Sequence, residues 1–177
     1  EQWIGTADRF LAAGVIADHQ LSISARVLQL EKEALFHQLV QEENRAFPGI
    51  VDALSILQER LPLAIATNSG QKDAEMVFIS TPVNKFMQVV VTSSDVKKLK
   101  PAPDMYLLAA EQLGVAPEAC LVVEDSPAGS TAAQKAGMYV LGLTSSQPKE
   151  KMTAVDEWFA SPQEAMQRLE QLTRIPL

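Results

Sequence analysis

Four short apolar runs that alternate with helical patterns constrain the fold of this chain more than any other feature. Each is only a few residues long and uninterrupted by charge, as in strands that are buried on both faces of a parallel sheet. The runs are Leu63–Ala66, Val89–Val91, Leu121–Val123 and Tyr139–Leu141. Helical patterns separate them at roughly 72–79, 103–113 and 127–136. Strands and helices in alternation predict right-handed crossovers and an α/β three-layer sandwich with a parallel sheet.

The front of the chain has a different composition. Little Pro or Gly occurs from Trp3 to Phe47, and apolar residues recur there at helical spacings. Pro48-Gly49 then interrupts the pattern, and the apolar stripe of a further helix begins at Ile50. We therefore predict a helical segment at 1–46 and an α/β unit at 47–177.

Composition excludes several classes of function. The formal net charge of the 177 residues is −7, with no basic stripe to neutralise a phosphate backbone, so nucleic acid is not an expected partner. No apolar stretch is long enough to predict a membrane span. The single cysteine, Cys120, can form neither an internal disulfide nor a CxxC metal site, which favours a reducing cytoplasm.

Polar residues follow three of the predicted strands, at the sheet edge where open α/β sheets bind ligands. The first group is Thr67-Asn68-Ser69, whose hydroxyl, amide and backbone N–H groups could hold a phosphate, or could simply cap the next helix. The second is Lys100, which Pro101 and Pro103 hold in a stiff segment. A lysine there could neutralise a phosphate and a carboxylate, although a solvated surface lysine is the alternative.

The third group is the acidic pair Glu124-Asp125, which comes directly after a buried strand and before a helix that Ser126 and Pro127 open. Two adjacent carboxylates at a buried strand end repel each other and lose hydration, so a hard cation such as Mg²⁺ would compensate them. The alternative is that Asp125 caps the helix while Glu124 points to solvent. The pair is thus a candidate metal site.

Taken together and in order, these motifs resemble the second, third and fourth motifs of the haloacid dehalogenase superfamily. The resemblance is to the subgroup of β-phosphoglucomutase and sugar-phosphate phosphatases, and it runs from about Phe47 to Thr144. It implies a Rossmann-like α/β core, with residues 1–46 as the later part of a helical cap domain. It also implies Mg²⁺-dependent phosphoryl transfer from a small phosphorylated metabolite through an aspartyl-phosphate.

The same resemblance implies a role for each candidate residue. Thr67 would hydrogen-bond the transferring phosphoryl group, and Asn68 and Ser69 would shape its loop. Lys100 would stabilise phosphoryl charge and orient the nucleophile. Asp125 would ligate Mg²⁺, with Glu124 beside it. A 2-haloacid dehalogenase is a weaker interpretation, because displacing halide needs no metal.

One motif of the superfamily does not occur in this sequence. Family members carry an N-terminal strand that ends in Asp-x-Asp, whose first Asp attacks phosphorus, and this chain contains no Asp-x-Asp. Asp8 follows no apolar strand, and the chain starts at Glu1 without an initiator Met. We expect a segment missing from the front, through truncation or omission, and a slot that it or a second chain fills. A noncatalytic phosphate-binding or regulatory module is the alternative.

Overall fold

The computed structural model describes residues 8–43, 46–174 and 176. In these residues two helices precede a set of helices that alternates with parallel strands. The helices are α1 Asp8–His19, α2 Ala25–Glu43, α3 Ile50–Leu57, α4 Gln71–Ser80, α5 Asp104–Leu113, α6 Pro127–Lys135 and α7 Pro162–Thr173. The strands are β1 Ala64–Ala66, β2 Val89–Val91, β3 Leu121–Glu124, β4 Tyr139–Leu143 and β5 Glu157–Phe159. The predicted α/β architecture with parallel strands is confirmed.

Within the described residues the strands form two parallel sheets instead of one. β1 pairs with β2, and β3, β4 and β5 pair in that order, but β1 and β3 are not paired with each other. Thr67 N–H donates to Val91 on the β2 side, so the backbone groups of Ala66 face the opposite, open side. Just before β3, the Cys120 carbonyl accepts from the N–H of Tyr139 in β4, so the backbone groups of Leu121 face the same open side.

The prediction that every apolar run is buried on both faces is wrong at this opening. Val123 is 48% exposed and Ala64 is also exposed, whereas Val122 and Val91 are buried. Leu141, at the centre of the three-stranded sheet, is fully buried as predicted.

Helix ends around the core follow the sequence signals. Ser126 caps α6 by accepting a hydrogen bond from Gly129 N–H, and Ser161 caps α7 in the same way. Gly137 follows α6 with φ of 79°, a left-handed conformation that favours glycine. These caps place the start of α6 at the carboxyl end of β3. β5 was not predicted, because three residues that begin with Glu157 give no recognisable strand pattern.

Helices α1 and α2 pack together, and α2 also packs on α4. Several large apolar side chains of α2 remain exposed, among them Leu30 at 55% and Leu35 at 56%. No helix in the described ranges combines the length and the apolar character that a bilayer crossing requires. The boundary between residues 46 and 47 falls between α2 and α3 and stays a prediction.

Candidate active site

The six sequence-predicted site residues line one cavity of about 430 Å³ beyond the carboxyl ends of β1 and β3. These residues are Thr67, Asn68, Ser69, Lys100, Glu124 and Asp125. They come from three separate loops, because parallel strands end at the same edge of a sheet. The geometry therefore collects hydroxyl, amide, ammonium and carboxylate groups around a single space.

Lys100 is the central cation of the cavity. Its ammonium donates to the carbonyl of Ala66, 3.0 Å away, and to the hydroxyl of Tyr106, also 3.0 Å away. It forms an ion pair with Glu124 Oε1, and its Nζ lies 4.5 Å from the centre of the Tyr106 ring. With a side chain only 7% exposed, Lys100 is not a solvated surface lysine. It links the end of β1 to the end of β3.

The Glu124 carboxylate is buried and surrounded by donors. Oε1 accepts from Lys100 and from Tyr106 at 2.7 Å, while Oε2 accepts from the N–H groups of Asp125 and Ser126 and from the Ser126 hydroxyl. Burial by itself raises the pKa of Glu124, but the Lys100 ammonium and these hydrogen bonds outweigh it and leave the pKa below its ordinary value. Glu124 does not point to solvent, and its oxygens are committed to protein donors.

Tyr106 and Gly129 both accommodate the buried Glu124 carboxylate, Tyr106 as a donor and Gly129 by leaving space. Burial, followed by the nearby Glu124 charge, raises the pKa of Tyr106, so its hydroxyl stays protonated and donates to the carboxylate. A Cβ at position 129 would lie within bonding distance of Glu124, 1.9 Å from Oε1. Glycine at the first turn of α6 is therefore a steric requirement of the buried carboxylate.

Asn68 fixes the backbone of Lys100 to the β1 loop. Its Oδ1 accepts from Lys100 N–H at 3.1 Å, and its Nδ2 donates to the Lys100 carbonyl at 3.4 Å. Thr67 Oγ1 accepts from Ser69 N–H at 3.1 Å, which folds the loop into a compact turn. The first two predicted motifs are thus joined to each other by side-chain hydrogen bonds.

Asp125 faces the cavity while Ser126 caps the following helix, so Asp125 is not the cap. One of its oxygens, Oδ2, accepts a hydrogen bond from Ser146 in the loop after β4. The described residues contain no group of three or more carboxylate, His or Cys side chains arranged to hold a metal ion. One or two carboxylates beside a phosphate pocket are nevertheless the donor set that suits Mg²⁺, which keeps several waters and binds substrate phosphate.

Several residues of the site were not predicted. Tyr106 lies six residues after Lys100 and Ser146 lies beyond β4, and neither carries a local motif. Lys32 and Phe36 of α2 also line the cavity, although they belong to the helical segment before the core. Their i, i+4 spacing on one helix face was the available signal. His37 is half-buried, with Nε2 3.1 Å from Asp73 Oδ1.

Comparisons with known proteins agree with this fold. The chain is 32% identical over 128 residues to the fructose-1-phosphate phosphatase of Escherichia coli, covering 72% of this chain and 68% of that protein. It also matches a Thermotoga maritima protein assigned as a β-phosphoglucomutase, with a TM-score of 0.77 and 27% identity over 97% of this chain and 81% of the other. CbbY from Rhodobacter sphaeroides, solved in complex with phosphate, matches with a TM-score of 0.75 and 26% identity over 88% of this chain and 73% of the other.

Most of the first curated relatives are longer than the region that aligns. The chain spans about half of their length, with 49%, 51% and 48% covered in three of them. The profile of the haloacid dehalogenase-like hydrolases matches residues 13–143, which include every predicted site residue. The chain belongs to the haloacid dehalogenase-like hydrolase family.

Proposed function

We propose that this cavity carries out Mg²⁺-dependent phosphoryl transfer from a small phosphomonoester, as a phosphatase or a phosphomutase of the cytoplasm. One observation carries the proposal: the nearly buried ammonium of Lys100 is fixed beyond the carboxyl ends of two parallel strands, beside Thr67 and Asp125. A rigid cation in a water-poor site stabilises the charge of a transferring phosphoryl group without reorganising.

Each residue has a part in that chemistry. Thr67 and Ser69 offer hydroxyl and backbone donors to the phosphoryl oxygens. Lys100 approaches the same oxygens, and its contacts with Ala66, Tyr106 and Glu124 prevent it from swinging into solvent. In this proposal Glu124 holds Lys100 in place and does not bind the metal directly, since both of its oxygens already accept from protein donors.

Asp125 is the residue that we propose to hold Mg²⁺, with Glu124 reached at most through water. The metal would supply charge neutralisation and alignment of the phosphate. Ser146 keeps the Asp125 carboxylate turned into the cavity through its hydrogen bond to Oδ2. The remaining oxygen, Oδ1, is the one that this geometry leaves for a cation.

The attacking carboxylate is supplied, in our proposal, by an Asp-x-Asp strand that pairs between β1 and β3 in the full-length protein. The sequence itself contains no Asp-x-Asp, and the gap between the two sheets lies beside Lys100. An aspartyl-phosphate would form at the end of that strand. The 177 residues by themselves should therefore bind phosphate but turn over almost nothing.

Phosphate release from an aryl phosphate, with and without Mg²⁺, tests the proposal. The chain extended by an upstream strand carrying Asp-x-Asp should hydrolyse the ester only with Mg²⁺, and Asp125→Ala should abolish the activity. Robust turnover by the 177 residues alone would show that the nucleophile lies elsewhere. A folded, extended protein without activity would favour the noncatalytic, phosphate-binding alternative.

A further inference from the structure

The helical segment contributes a second ammonium to the cavity. Lys32 and Phe36, one turn apart on α2, line the same space as Thr67, Lys100 and Asp125. Lys32 Nζ lies 5.9 Å from the centre of the Phe36 ring. The cavity is therefore lined both by the loops that follow the strands and by the helical segment.

The register of α2 over the cavity is set by contacts with α4. His37 Nε2 lies 3.1 Å from Asp73 Oδ1, and one turn later Gln41 Nε2 donates to Met76 Sδ at 3.8 Å. These contacts hold the neighbouring residues Lys32 and Phe36 on the side of α2 that overlooks the cavity. Both side chains are half-buried there.

Two ammonium groups, from Lys100 and Lys32, line the cavity. The Lys100 ammonium is paired with Glu124 and fixed beside the predicted phosphoryl position. Lys32 brings a second positive charge to the lining, next to an aromatic ring that can pack on a short carbon skeleton. A substrate with phosphate at one end and a second anion at the other would match both cations.

We propose that Lys32 selects phosphomonoesters whose leaving group carries a second anionic group, a carboxylate or a further phosphate, and that Phe36 packs against the carbons between the two anions. The inference rests on the proposed function, because it places the transferred phosphate at Lys100. Lys32 then acts on specificity and leaves binding of the phosphoryl group itself unchanged.

Calorimetric titration of the 177-residue chain in MgCl₂ tests this with three two-carbon ligands: phosphoglycolate, ethylene glycol bisphosphate and the neutral-ended 2-hydroxyethyl phosphate. Both ligands with a second anion should bind at least about fivefold more tightly than the neutral-ended one, as one partly screened ion pair allows, and the preference should shrink in about 0.5 M KCl. Lys32→Met should remove the preference and leave the affinity for 2-hydroxyethyl phosphate unchanged. A preference for only one of the two charged ligands would still support the proposal and would identify which anion the site takes.

Lys85→Met is the matched control, since Lys85 is an exposed lysine that also stacks on a phenylalanine ring, at 4.9 Å from Phe86, outside the cavity. It should keep the full preference. Equal affinities for all three ligands in the original chain would overturn the role of Lys32, as would a Lys32→Met variant that loses all three equally. If no ligand binds the folded chain, the proposed function itself fails, and this inference with it.

Discussion

At the scale of single residues, the site depends on how one carboxylate is accommodated. Glu124 was predicted as a metal ligand, and the structure surrounds its two oxygens with five protein donors. The adjacent Asp125 has one oxygen on Ser146 and faces the cavity. Two neighbouring acidic residues therefore have different surroundings.

Gly129→Ala tests the space that Glu124 needs. The added methyl would lie 1.9 Å from Glu124 Oε1, so the carboxylate must shift away from Lys100 and the protein should lose at least about 1–3 kcal/mol of unfolding free energy. Urea denaturation measures the loss. Gly70→Ala is the control, because its Cβ would meet nothing closer than Ser93 Oγ at 4.0 Å. Equal stability of the two variants would contradict the packing described.

Tyr106→Phe tests the buried hydroxyl. Removing it takes one donor from a charged, buried acceptor and should cost about 1.5–3 kcal/mol, measured by urea denaturation. Tyr139→Phe is a close match, because the Tyr139 hydroxyl donates to Glu157 over the same 2.7 Å but on the exposed surface. It should cost much less than Tyr106→Phe, because water replaces a hydrogen bond that is lost on the exposed surface. A reversed order of the two losses would refute the buried network.

At this scale the sequence could predict which residues lie together but not all of their partners. Thr67, Lys100 and Asp125 were predicted to meet because each follows an apolar strand, and parallel strand ends converge. Contacts between separate elements involve Tyr106, Gly129 and Ser146, and these depend on packing distances that no local pattern encodes. The donors around Glu124 were not predicted for the same reason.

At the scale of elements, helices with strong caps were predictable and short strands were not. Ser126-Pro127 and Ser161-Pro162 begin α6 and α7 as their sequences indicate. β5 has three residues and no alternation, so its strand identity comes from pairing with β4. The apolar spacing on α2 correctly indicated a helix, yet Leu30 and Leu35 are exposed, because burial depends on what covers a helix.

The loop that leads from β2 to Lys100 offers a pH test at this scale. Asp95 Oδ2 accepts from the Thr92 N–H and hydroxyl, and these bonds lower the pKa of Asp95 below 3.8. A carboxyl whose pKa is lower in the folded state stabilises the fold at pH above its pKa in the unfolded state. This contribution disappears as the pH falls through its pKa in the folded state. Asp95→Asn should therefore cost about 0.5–1 kcal/mol near neutral pH, at the low end for an exposed hydrogen bond.

Urea midpoints from about pH 7 down to about pH 3 measure this difference between Asp95→Asn and the original chain. The difference in midpoint should narrow as the pH falls below the unfolded pKa of 3.8 towards the lower folded pKa, since protonation removes the charge that the Asn variant lacks. Glu118→Gln removes an exposed charge in the Pro117–Ala119 turn, away from this loop, and serves as the comparison. A difference in urea midpoint that grows in acid would have the wrong sign for a carboxyl with a lowered pKa.

At the scale of the whole molecule, the two parallel sheets leave the fold open at its centre. Backbone groups of Leu121 and the N–H of Ala66 face the gap, whereas the Ala66 carbonyl accepts from Lys100, and exposed Val123 lies beside the gap. Unpaired strand edges are costly and attract further strands. We expect the 177-residue chain to be marginally stable alone, or to associate with a strand from elsewhere, and thermal melts across a range of protein concentrations measure this. A cooperative, concentration-independent melt of the monomer above about 60 °C would contradict the expectation.

The central claim, that the Lys100 cavity is a Mg²⁺-dependent phosphate site, is tested most directly by titrating inorganic phosphate into the chain with and without MgCl₂. The double variant Lys100→Met with Glu124→Gln removes the ion pair without leaving one buried charge unpaired. Lys98→Met, at an exposed position two residues away, is its control. We predict binding that requires Mg²⁺, persists in Lys98→Met and is lost in the folded double variant. Phosphate binding of equal strength in the double variant would contradict the account.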